Sequence, residues 1–202
     1  MQVKLKNKCA VYGIWWLVVV FFACANPFTT REPQPPQKTV SNYIPPITPE
    51  MVFDNMRFAI LERNAENYMR SFVDTTRSEK KFEFVPDQGV AAANPGVFQN
   101  WSLSEERLYI TLLFQATPAD SLHELRFDEP RVEEGATTAT FTQNYQLIML
   151  HTRQGEGIPV LVKGQAKFWL EKNHTGDWAI YRWEDFTNGV DATWSKLKAL
   201  IF

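Results

Sequence analysis

Cysteine is scarce in this sequence: only Cys9 and Cys24 occur among 202 residues, and both lie in an apolar N-terminal stretch. The rest of the chain therefore has no disulfide, no thiol nucleophile and no cysteine-based metal site. Histidine is also rare, and its three copies have no metal-ligand spacing, so we expect no metal site. The sequence has no phosphate-binding glycine loop and no nucleophile-elbow serine motif, and we expect no cofactor.

The sequence also lacks an excess of either charge, since 21 Lys and Arg stand against 23 Asp and Glu. The three lysines before Cys24 are the only charged residues in that segment. Removing these three from the 21 leaves 18 basic residues against 23 acidic ones, a net charge of about −5. A mildly acidic domain without a basic run is a poor candidate for binding a phosphate backbone, so we expect no nucleic-acid partner.

Residues 1–24 resemble a signal peptide with a lipobox-like end. A basic segment, Met1–Lys8, is followed by an apolar run, Ala10–Ala23. This run of about 14 residues is short of the roughly 20 that span a bilayer as a helix, but it matches the apolar region of an export signal. The run leads into Phe21-Phe22-Ala23-Cys24, which resembles the bacterial lipobox with Phe21 in place of the usual leucine.

The lipobox resemblance implies that Cys24 receives a lipid such as palmitate and becomes the first mature residue. The predicted protein is then a lipoprotein of the bacterial cell envelope, attached to the membrane through Cys24. Ala23-Cys24-Ala25 also fits an ordinary secretory cleavage site, which would give a secreted or periplasmic soluble protein. An uncleaved membrane anchor is the third alternative.

A proline-rich linker is predicted over residues 25–47. Seven of the twelve prolines lie between Asn26 and Pro49. Such a stretch is extended and semi-rigid, with a rise of about 3.1 Å per residue where it is polyproline-like. This composition suits a spacer that holds a folded domain away from a membrane. A proline-rich ligand for a partner module is the alternative.

One folded domain is predicted over residues 48–202, and it begins with helices. Thr48-Pro49-Glu50 supplies a capping hydroxyl, a proline at the first helical position and an acid in the first turn. Apolar residues then recur at three- and four-residue steps as far as Asn64, which indicates an amphipathic helix. A second, shorter helix is expected over Glu66–Phe72.

A further helix is predicted over Glu106–Gln115, after a loop at Asp87–Gly96. Ser102-Leu103-Ser104-Glu105 forms a capping box immediately before it. Leu108 is expected among the buried residues of this helix. The two glutamates at 105 and 106 are assigned to the cap and to the solvated face.

Strand-like patterns dominate the second half of the chain. Along Thr137–Leu150, apolar residues and Tyr145 alternate with threonine and amide residues, which is typical of a half-exposed antiparallel strand. Glu133 and Glu134 are assigned to a turn, and Trp194–Leu200 to a short amphipathic segment that closes the domain. Helices followed by antiparallel strands predict an α+β fold. The predicted strands are a short edge strand at Lys81–Pro86, then Leu122–Phe127, Ala136–Thr152, Ile158–Lys172 and Trp178–Thr187.

The chain from Thr48 to Phe202 resembles the nuclear-transport-factor-2-like superfamily, which includes SnoaL-like polyketide cyclases and ketosteroid isomerase. Thr48–Val73 resembles the opening helical segment of that superfamily. Ala166–Leu170 with Gly176–Ile180 resembles its closing hairpin, in which a long strand turns through Gly-x-Trp. The resemblance implies a cystatin-like α+β fold, with N-terminal helices packed against a strongly curved antiparallel sheet that forms a cone.

The resemblance also implies where a site would lie. Family enzymes place an Asp or His base and a Tyr or Asp donor inside the cone, where an apolar pocket raises the pKa of a carboxyl group. The catalytic candidates in this sequence are Tyr145, His123 and Asp185. The ligand-binding candidates are Tyr145, Trp183 and Tyr181. Trp183 and Tyr181 would line a hydrophobic mouth together with Trp169, and the Tyr145 hydroxyl would lie at the rim of the pocket.

Each candidate also has a purely structural interpretation. Tyr145 shares its strand face with apolar residues, which favours core packing. Trp183 and Tyr181 would also be core residues. His123 would be structural or exposed, and Asp185 would pair locally at the end of a strand.

The remaining polar residues near the predicted strand ends are expected at the surface. His151 ends a strand, and His174 lies in the turn between the last two strands, so both are expected to be solvated. Arg182 alternates with aromatic residues and is expected to pair with Glu171 or Glu184 across strands.

Three hypotheses about function follow. The first is a non-catalytic lipoprotein of the cell envelope whose cone binds a small apolar molecule or a partner protein. The second is an enzyme of the isomerase, dehydratase or cyclase type that uses Tyr145 with His123 or Asp185 as acid and base. The third is an assembly module that forms a homodimer through the open face of the sheet, with Trp169 in the interface.

Overall fold

The computed structural model describes residues 41–202. The predicted signal peptide, Cys24 and most of the predicted linker lie outside the described residues. The described helices are α1 (Pro49–Glu62), α2 (Ala65–Met69), α3 (Gln88–Ala93), α4 (Leu103–Ala116) and α5 (Trp194–Ile201). The strands are β1 (Glu83–Val85), β2 (His123–Glu134), β3 (Thr138–Met149), β4 (Leu161–Lys172) and β5 (Trp178–Phe186). No helix within residues 41–202 is long and apolar enough to cross a membrane.

The described strands form one sheet in the order β1-β5-β4-β3-β2. The pairs β2–β3, β3–β4 and β4–β5 are antiparallel, as the alternating sequence pattern predicts. The expectation of a wholly antiparallel sheet is wrong at one edge, because β1 pairs in parallel with β5. In the chain β1 and β5 are separated by β2, β3 and β4, so no hairpin joins them, and only hairpins require antiparallel neighbours. The α+β fold class is confirmed.

Helix α1 packs on one face of this sheet, which we call the inner face. This face carries the buried alternate residues of β3 and β4, including Phe141 and Phe168. The ring of Phe53 in α1 lies 4.9 Å from that of Phe141 and 5.2 Å from that of Phe168. Pro49 opens α1, and Arg63 ends it in the left-handed conformation with φ of 49°. The predicted amphipathic helix therefore supplies the first layer of the core.

Residues 41–47 pack against the domain, although the sequence pattern assigned them to the linker. The backbone N–H of Ile44 donates to the Oδ1 atom of Asn55 at 2.9 Å, and the Nδ2 group of Asn55 donates to the carbonyl of Ile44 at 2.7 Å. The N–H of Trp178 donates to the carbonyl of Pro46 at 2.8 Å. The packed region thus begins before Thr48.

Three local predictions are wrong. The expected loop at Asp87–Gly96 contains α3, which forms because the Asp87 side chain caps it by accepting from the N–H of Val90. Glu133 and Glu134 lie in β2 and not in a turn, since β2 follows β3 along the full length of that strand. Leu108 is 48% exposed on α4 and is not a core residue.

Gly164 leaves room for Tyr145 to cross the inner face. The two residues are direct partners on β4 and β3. A β-carbon at Gly164 would lie 2.6 Å from the Tyr145 hydroxyl oxygen and 2.5 Å from the backbone oxygen of Phe186. The absence of a side chain at this position lets the Tyr145 hydroxyl reach past β4 towards β5.

We predict that Gly164→Ala lowers the free energy of unfolding by about 1–3 kcal/mol, because one added methyl group overpacks a site bounded by backbone. Gly155→Ala is the matched control, since a β-carbon there has nothing within 4 Å. The control is expected within about 0.5 kcal/mol of wild type. Urea denaturation measures both, and equal stability of the two variants would contradict this account of Tyr145.

Candidate functional site

Helix α5 lies against the inner face and buries the candidate site. Thr193 caps this helix by accepting from the N–H of Lys196 at 3.3 Å. The Trp194 ring packs edge-on against Trp183 of β5, with centroids 4.8 Å apart. The indole N–H of Trp194 donates to the Tyr109 hydroxyl at 2.8 Å. The last helix of the chain therefore joins the sheet to α4.

The first polar cluster is centred on Asp185, which is 1% exposed on β5. Its Oδ1 atom accepts from the Tyr145 hydroxyl at 2.6 Å. Its Oδ2 atom accepts from the backbone N–H of Ser195 at 2.6 Å and from the Ser195 hydroxyl at 2.5 Å. The Tyr145 hydroxyl also accepts from the N–H of Trp194 at 2.7 Å. This cluster holds the first turn of α5 on the sheet.

Burial raises the pKa of Asp185, and the hydrogen bonds from Ser195 and Tyr145 act in the opposite direction. Burial and the nearby Asp185 charge raise the pKa of Tyr145 well above its ordinary value, so the phenol stays protonated. The phenol can therefore donate to the carboxylate. Each oxygen of Asp185 already has a donor from the protein itself.

The second polar cluster is a buried ion pair between α4 and α5. The Nζ atom of Lys198 lies 2.5 Å from the Oε2 atom of Glu106, and both side chains are fully buried. The Tyr68 hydroxyl donates to Oε1 of Glu106 at 2.7 Å, and the indole N–H of Trp101 donates to Oε2 at 2.8 Å. Three donors thus surround one carboxylate, which is the arrangement that a buried charge requires.

Burial lowers the pKa of Lys198 to about 8, although the charges of Glu106 and Asp185 act in the opposite direction. The other ionisable neighbours are Tyr68 and Tyr109. Burial and the Glu106 charge raise the pKa of both phenols, so neither ionises near neutral pH. Of Lys198, Tyr68 and Tyr109, Lys198 is therefore the group whose pKa lies nearest to neutral pH.

The structure brings two of the three catalytic candidates together. Tyr145 and Asp185 are in direct contact. The third, His123, lies at the start of β2, where its Nε2 atom is 2.7 Å from the carbonyl oxygen of Leu61. Its contact with α1 gives it a structural role and not a place beside Tyr145.

The ligand-binding candidates lie on different sides of the sheet. Trp183 is fully buried on the inner face, and its indole N–H has no hydrogen-bond partner among residues 41–202. Tyr181 is half-buried, and the Nζ atom of Lys80 lies 3.6 Å from the centre of its ring. Tyr145 and Trp183 therefore belong to the packed interior, whereas Tyr181 faces a surface lysine. They form no common aromatic mouth.

Two expectations about polar residues are wrong. Asp185 does not pair locally, because the first turn of α5 and Tyr145 from β3 reach it through space. His151 is 1% exposed and not solvated, with its Nε2 atom 3.3 Å from the carbonyl of Pro159. His174 is exposed, as expected. Arg182 pairs with Glu184, an expected partner, at 2.6 Å, but along β5, and its partner across strands is Glu83 of β1.

Sequence reasoning missed the central ion pair. Glu106 was assigned to a solvated helix face, and Lys198 was given no role. A signal was present, because each charge lies on the apolar side of its helix. Glu106 is three and seven residues from buried Tyr109 and Leu113, and Lys198 is four residues after buried Trp194. A lone charge on each of two apolar helix faces, with opposite signs, indicates a buried pair.

Two surface clefts are found among the described residues. One, of about 500 Å³, lies between α3, the loop 187–193 and α5. The other, of about 300 Å³, lies at one end of the sheet beside Gly164 and Lys163. Tyr145 also lines the second cleft, whereas neither cleft is lined by the carboxylates of the two polar clusters. Within residues 41–202, no group of three or more potential ligands is placed to hold a metal ion.

No protein-family profile and no curated protein sequence matches this chain. Its fold is found among solved structures. A candidate aromatic ring hydroxylase from Novosphingobium aromaticivorans has a TM-score of 0.50 and 12% identity, over 69% of this chain and 85% of its own. A protein from Kribbella flavida also has a TM-score of 0.50 and 12% identity, over 69% of this chain and 88% of its own.

A nuclear transport factor 2 (NTF2-like) superfamily protein from Salmonella enterica aligns with a TM-score of 0.48 and 10% identity, over 66% of this chain and 84% of its own. At such identities these likenesses concern the fold alone. The α+β fold class implied by the sequence resemblance, with helices packed on one face of a five-stranded sheet, is confirmed for residues 41–202.

We predict that the stability contributed by Lys198 depends on pH. Its pKa is about 8 in the folded protein and 10.5 in its ordinary state. Between these values the unfolded chain keeps a proton that the folded chain has released, so this group makes the free energy of unfolding rise with pH. Relative to Lys198→Met, wild type should gain stability between about pH 7.5 and about pH 9.5, as measured by urea denaturation.

Lys196→Met is the control for this measurement, because Lys196 is exposed on the same helix. As an exposed substitution, it should change the free energy of unfolding by no more than about 0.5 kcal/mol. A difference between Lys198→Met and wild type that stays constant over this pH range would show that the amine does not titrate in this window, and the account of its burial would be wrong.

Proposed function

We propose that this protein is a non-catalytic binding and assembly module of the bacterial cell envelope, attached to the membrane by a lipid on Cys24. The observation that carries the proposal is the position of α5, which fills the inner side of the sheet with Trp194 and Lys198, both fully buried. The space in which a relative of this fold could hold a substrate is occupied here by the chain itself. An interaction with a partner would then use the outside of the domain.

The contact between Tyr145 and Asp185 favours the alternative, an isomerase, dehydratase or cyclase with an acid–base pair. A raised pKa of a buried carboxyl group is typical of such sites. However, Ser195 donates twice to the same carboxylate, and α5 covers it. Catalysis, or entry of a small apolar ligand, would require α5 to leave the inner face. We therefore favour the non-catalytic role.

The other face of the sheet, which we call the outer face, is the best candidate for a protein interface. The alternate side chains of β3 and β4 on this face, from Thr138 to Ile148 and from Leu161 to Glu171, are exposed or half-buried. Trp169 lies on this face of β4, the middle strand of the described sheet. The Lys167 ammonium is 4.6 Å from its ring centre, and the Arg182 guanidinium is 5.3 Å away. Half-buried tryptophan and arginine are typical of interface centres.

A second copy of the chain fits this face because its charges are self-complementary. Lys167 precedes Trp169 by two residues on β4, and Glu171 follows it by two. A two-fold axis near Trp169 would bring Lys167 of one copy towards Glu171 of the other, whose carboxylate also lies 3.5 Å from Lys80 of its own chain. Copies attached to one membrane would also meet at a raised effective concentration.

We predict that the full chain in detergent is a dimer and that Trp169→Glu converts it to a monomer, because the substitution buries an unpaired charge in the interface. Sedimentation equilibrium measures the mass. Leu108→Glu is the matched control, because Leu108 is an exposed apolar residue on α4. Its dimer should persist. A wild-type chain that stays monomeric at the highest concentration tested would exclude assembly through this face.

We also predict that the mature protein begins at Cys24 and carries acyl chains. Intact-mass analysis of the membrane fraction should give the mass of residues 24–202 plus lipid. Cys24→Ser should remove the lipid mass and keep the uncleaved chain. A mature protein that begins at Asn26 without acyl mass would support simple secretion and exclude the anchor.

A further inference from the structure

A cage of aromatic rings surrounds the ammonium group of Lys198. The Nζ atom lies 3.7 Å from the ring centre of Phe84 and 3.9 Å from that of Trp183. Trp101 and Tyr109 contribute rings at 5.3 Å and 5.4 Å. The faces of aromatic rings attract a cation more strongly when water is excluded, and this ammonium group is fully buried. Four rings at these distances are more than the packing of a lysine stem requires.

Glu106 completes the cage with a carboxylate. Its Oε2 atom accepts a hydrogen bond from Nζ at 2.5 Å. The Tyr68 hydroxyl and the Trp101 indole N–H hold this carboxylate in place. A quaternary ammonium has no N–H to donate to Glu106, whereas a primary ammonium has three. The cage therefore suits a primary ammonium group best.

The walls of the cage all come from outside α5. Phe84 belongs to β1 and Trp183 to β5, whereas Glu106 and Tyr109 belong to α4 and Trp101 directly precedes the cap of that helix. Helix α5 contributes only the occupant. It is also the last helix of the chain and follows the loop 187–193, in which Val190 is 90% exposed. The cage is thus built by the domain and filled by a terminal segment.

We propose that this cage is a binding site for a primary alkylammonium group and that Lys198 occupies it as a tethered ligand. The proposal rests on the four aromatic rings and the one hydrogen-bonded carboxylate that surround the Nζ atom of Lys198. The inference goes beyond the proposed function, because it concerns the inner side of the sheet and does not depend on the outer face. A free amine of the right length can make the same contacts when the Lys198 side chain is absent.

Lys198→Ala in the full chain tests the proposal, because it removes the atoms that correspond to n-propylammonium. We expect the melting temperature to fall by about 10 °C, since Glu106 loses its partner. Millimolar n-propylammonium chloride should then raise the melting temperature of this variant in a saturable manner and recover at least about half of the loss. Wild type and Lys196→Ala should not respond.

Three comparisons give the rescue its specificity. 1-Propanol has the length without the charge, tetramethylammonium has the charge without an N–H, and sodium chloride controls for ionic strength. None of these three additives should raise the melting temperature of Lys198→Ala as much as n-propylammonium does. Glu106→Gln combined with Lys198→Ala removes the carboxylate and should abolish the rescue. Equal effects of the four additives, or an undiminished rescue in the double variant, would overturn the proposal.

If Lys198→Ala does not fold alone, the same question is answered by refolding it from urea with and without the amine. Folded protein is then expected only with n-propylammonium, as judged by near-ultraviolet circular dichroism of the buried tryptophans. A yield that does not depend on the amine would count against the site as clearly as an absent thermal shift.

Discussion

The ion pair between Glu106 and Lys198 is the interaction on which the arrangement of the interior depends. A carboxylate and an ammonium group lose their hydration together when α5 docks, and this loss is offset only if both keep their partners. Tyr68 and Trp101 donate to the carboxylate, and aromatic rings surround the ammonium. Removing one partner of such a pair typically costs about 3–5 kcal/mol, because the other charge stays buried. A partly displaced α5 is therefore unfavourable, and the helix is either docked or released as a unit.

The sheet is shaped to receive this helix. Gly164 lets Tyr145 cross β4, Tyr145 reaches Asp185, and Asp185 in turn accepts from Ser195 at the start of α5. The order of these contacts across β3, β4 and β5 requires the observed strand register, because a shift by one residue would move Tyr145 to the outer face. The same residues that looked like an acid–base pair in the sequence thus connect the sheet to the last helix. The Tyr145 hydroxyl and the Asp185 carboxylate satisfy each other's hydrogen bonds inside an otherwise apolar interior.

Much of the fold could be predicted because its signals are local. The alternation along β3, the capping box at Ser102 and the proline at the start of α1 each act within a few residues, and each was interpreted correctly. The parallel orientation of β1 could not be predicted, since it depends on a crossover and on pairing with a strand about a hundred residues away. For the candidate site, the sequence pairs Tyr145 with His123 or Asp185, and the structure brings Asp185 to it. The hydrogen bonds from Ser195 to Asp185 were not predicted.

The central pair was missed for a related reason. Glu106 and Lys198 are separated by 92 residues, and each by itself resembles a solvated charge on a short helix. Burial of a single charge is so unfavourable that a charged residue considered alone is assigned to the surface. The assignment changes only when both charges are considered together, each on the apolar side of its own helix. A pair of this kind specifies which helix faces meet, and an apolar pair of similar volume would fill the space without specifying the partner. The ion pair thus fixes the position of α5 on the inner face, whereas Trp169 lies half-buried on the opposite face of the sheet.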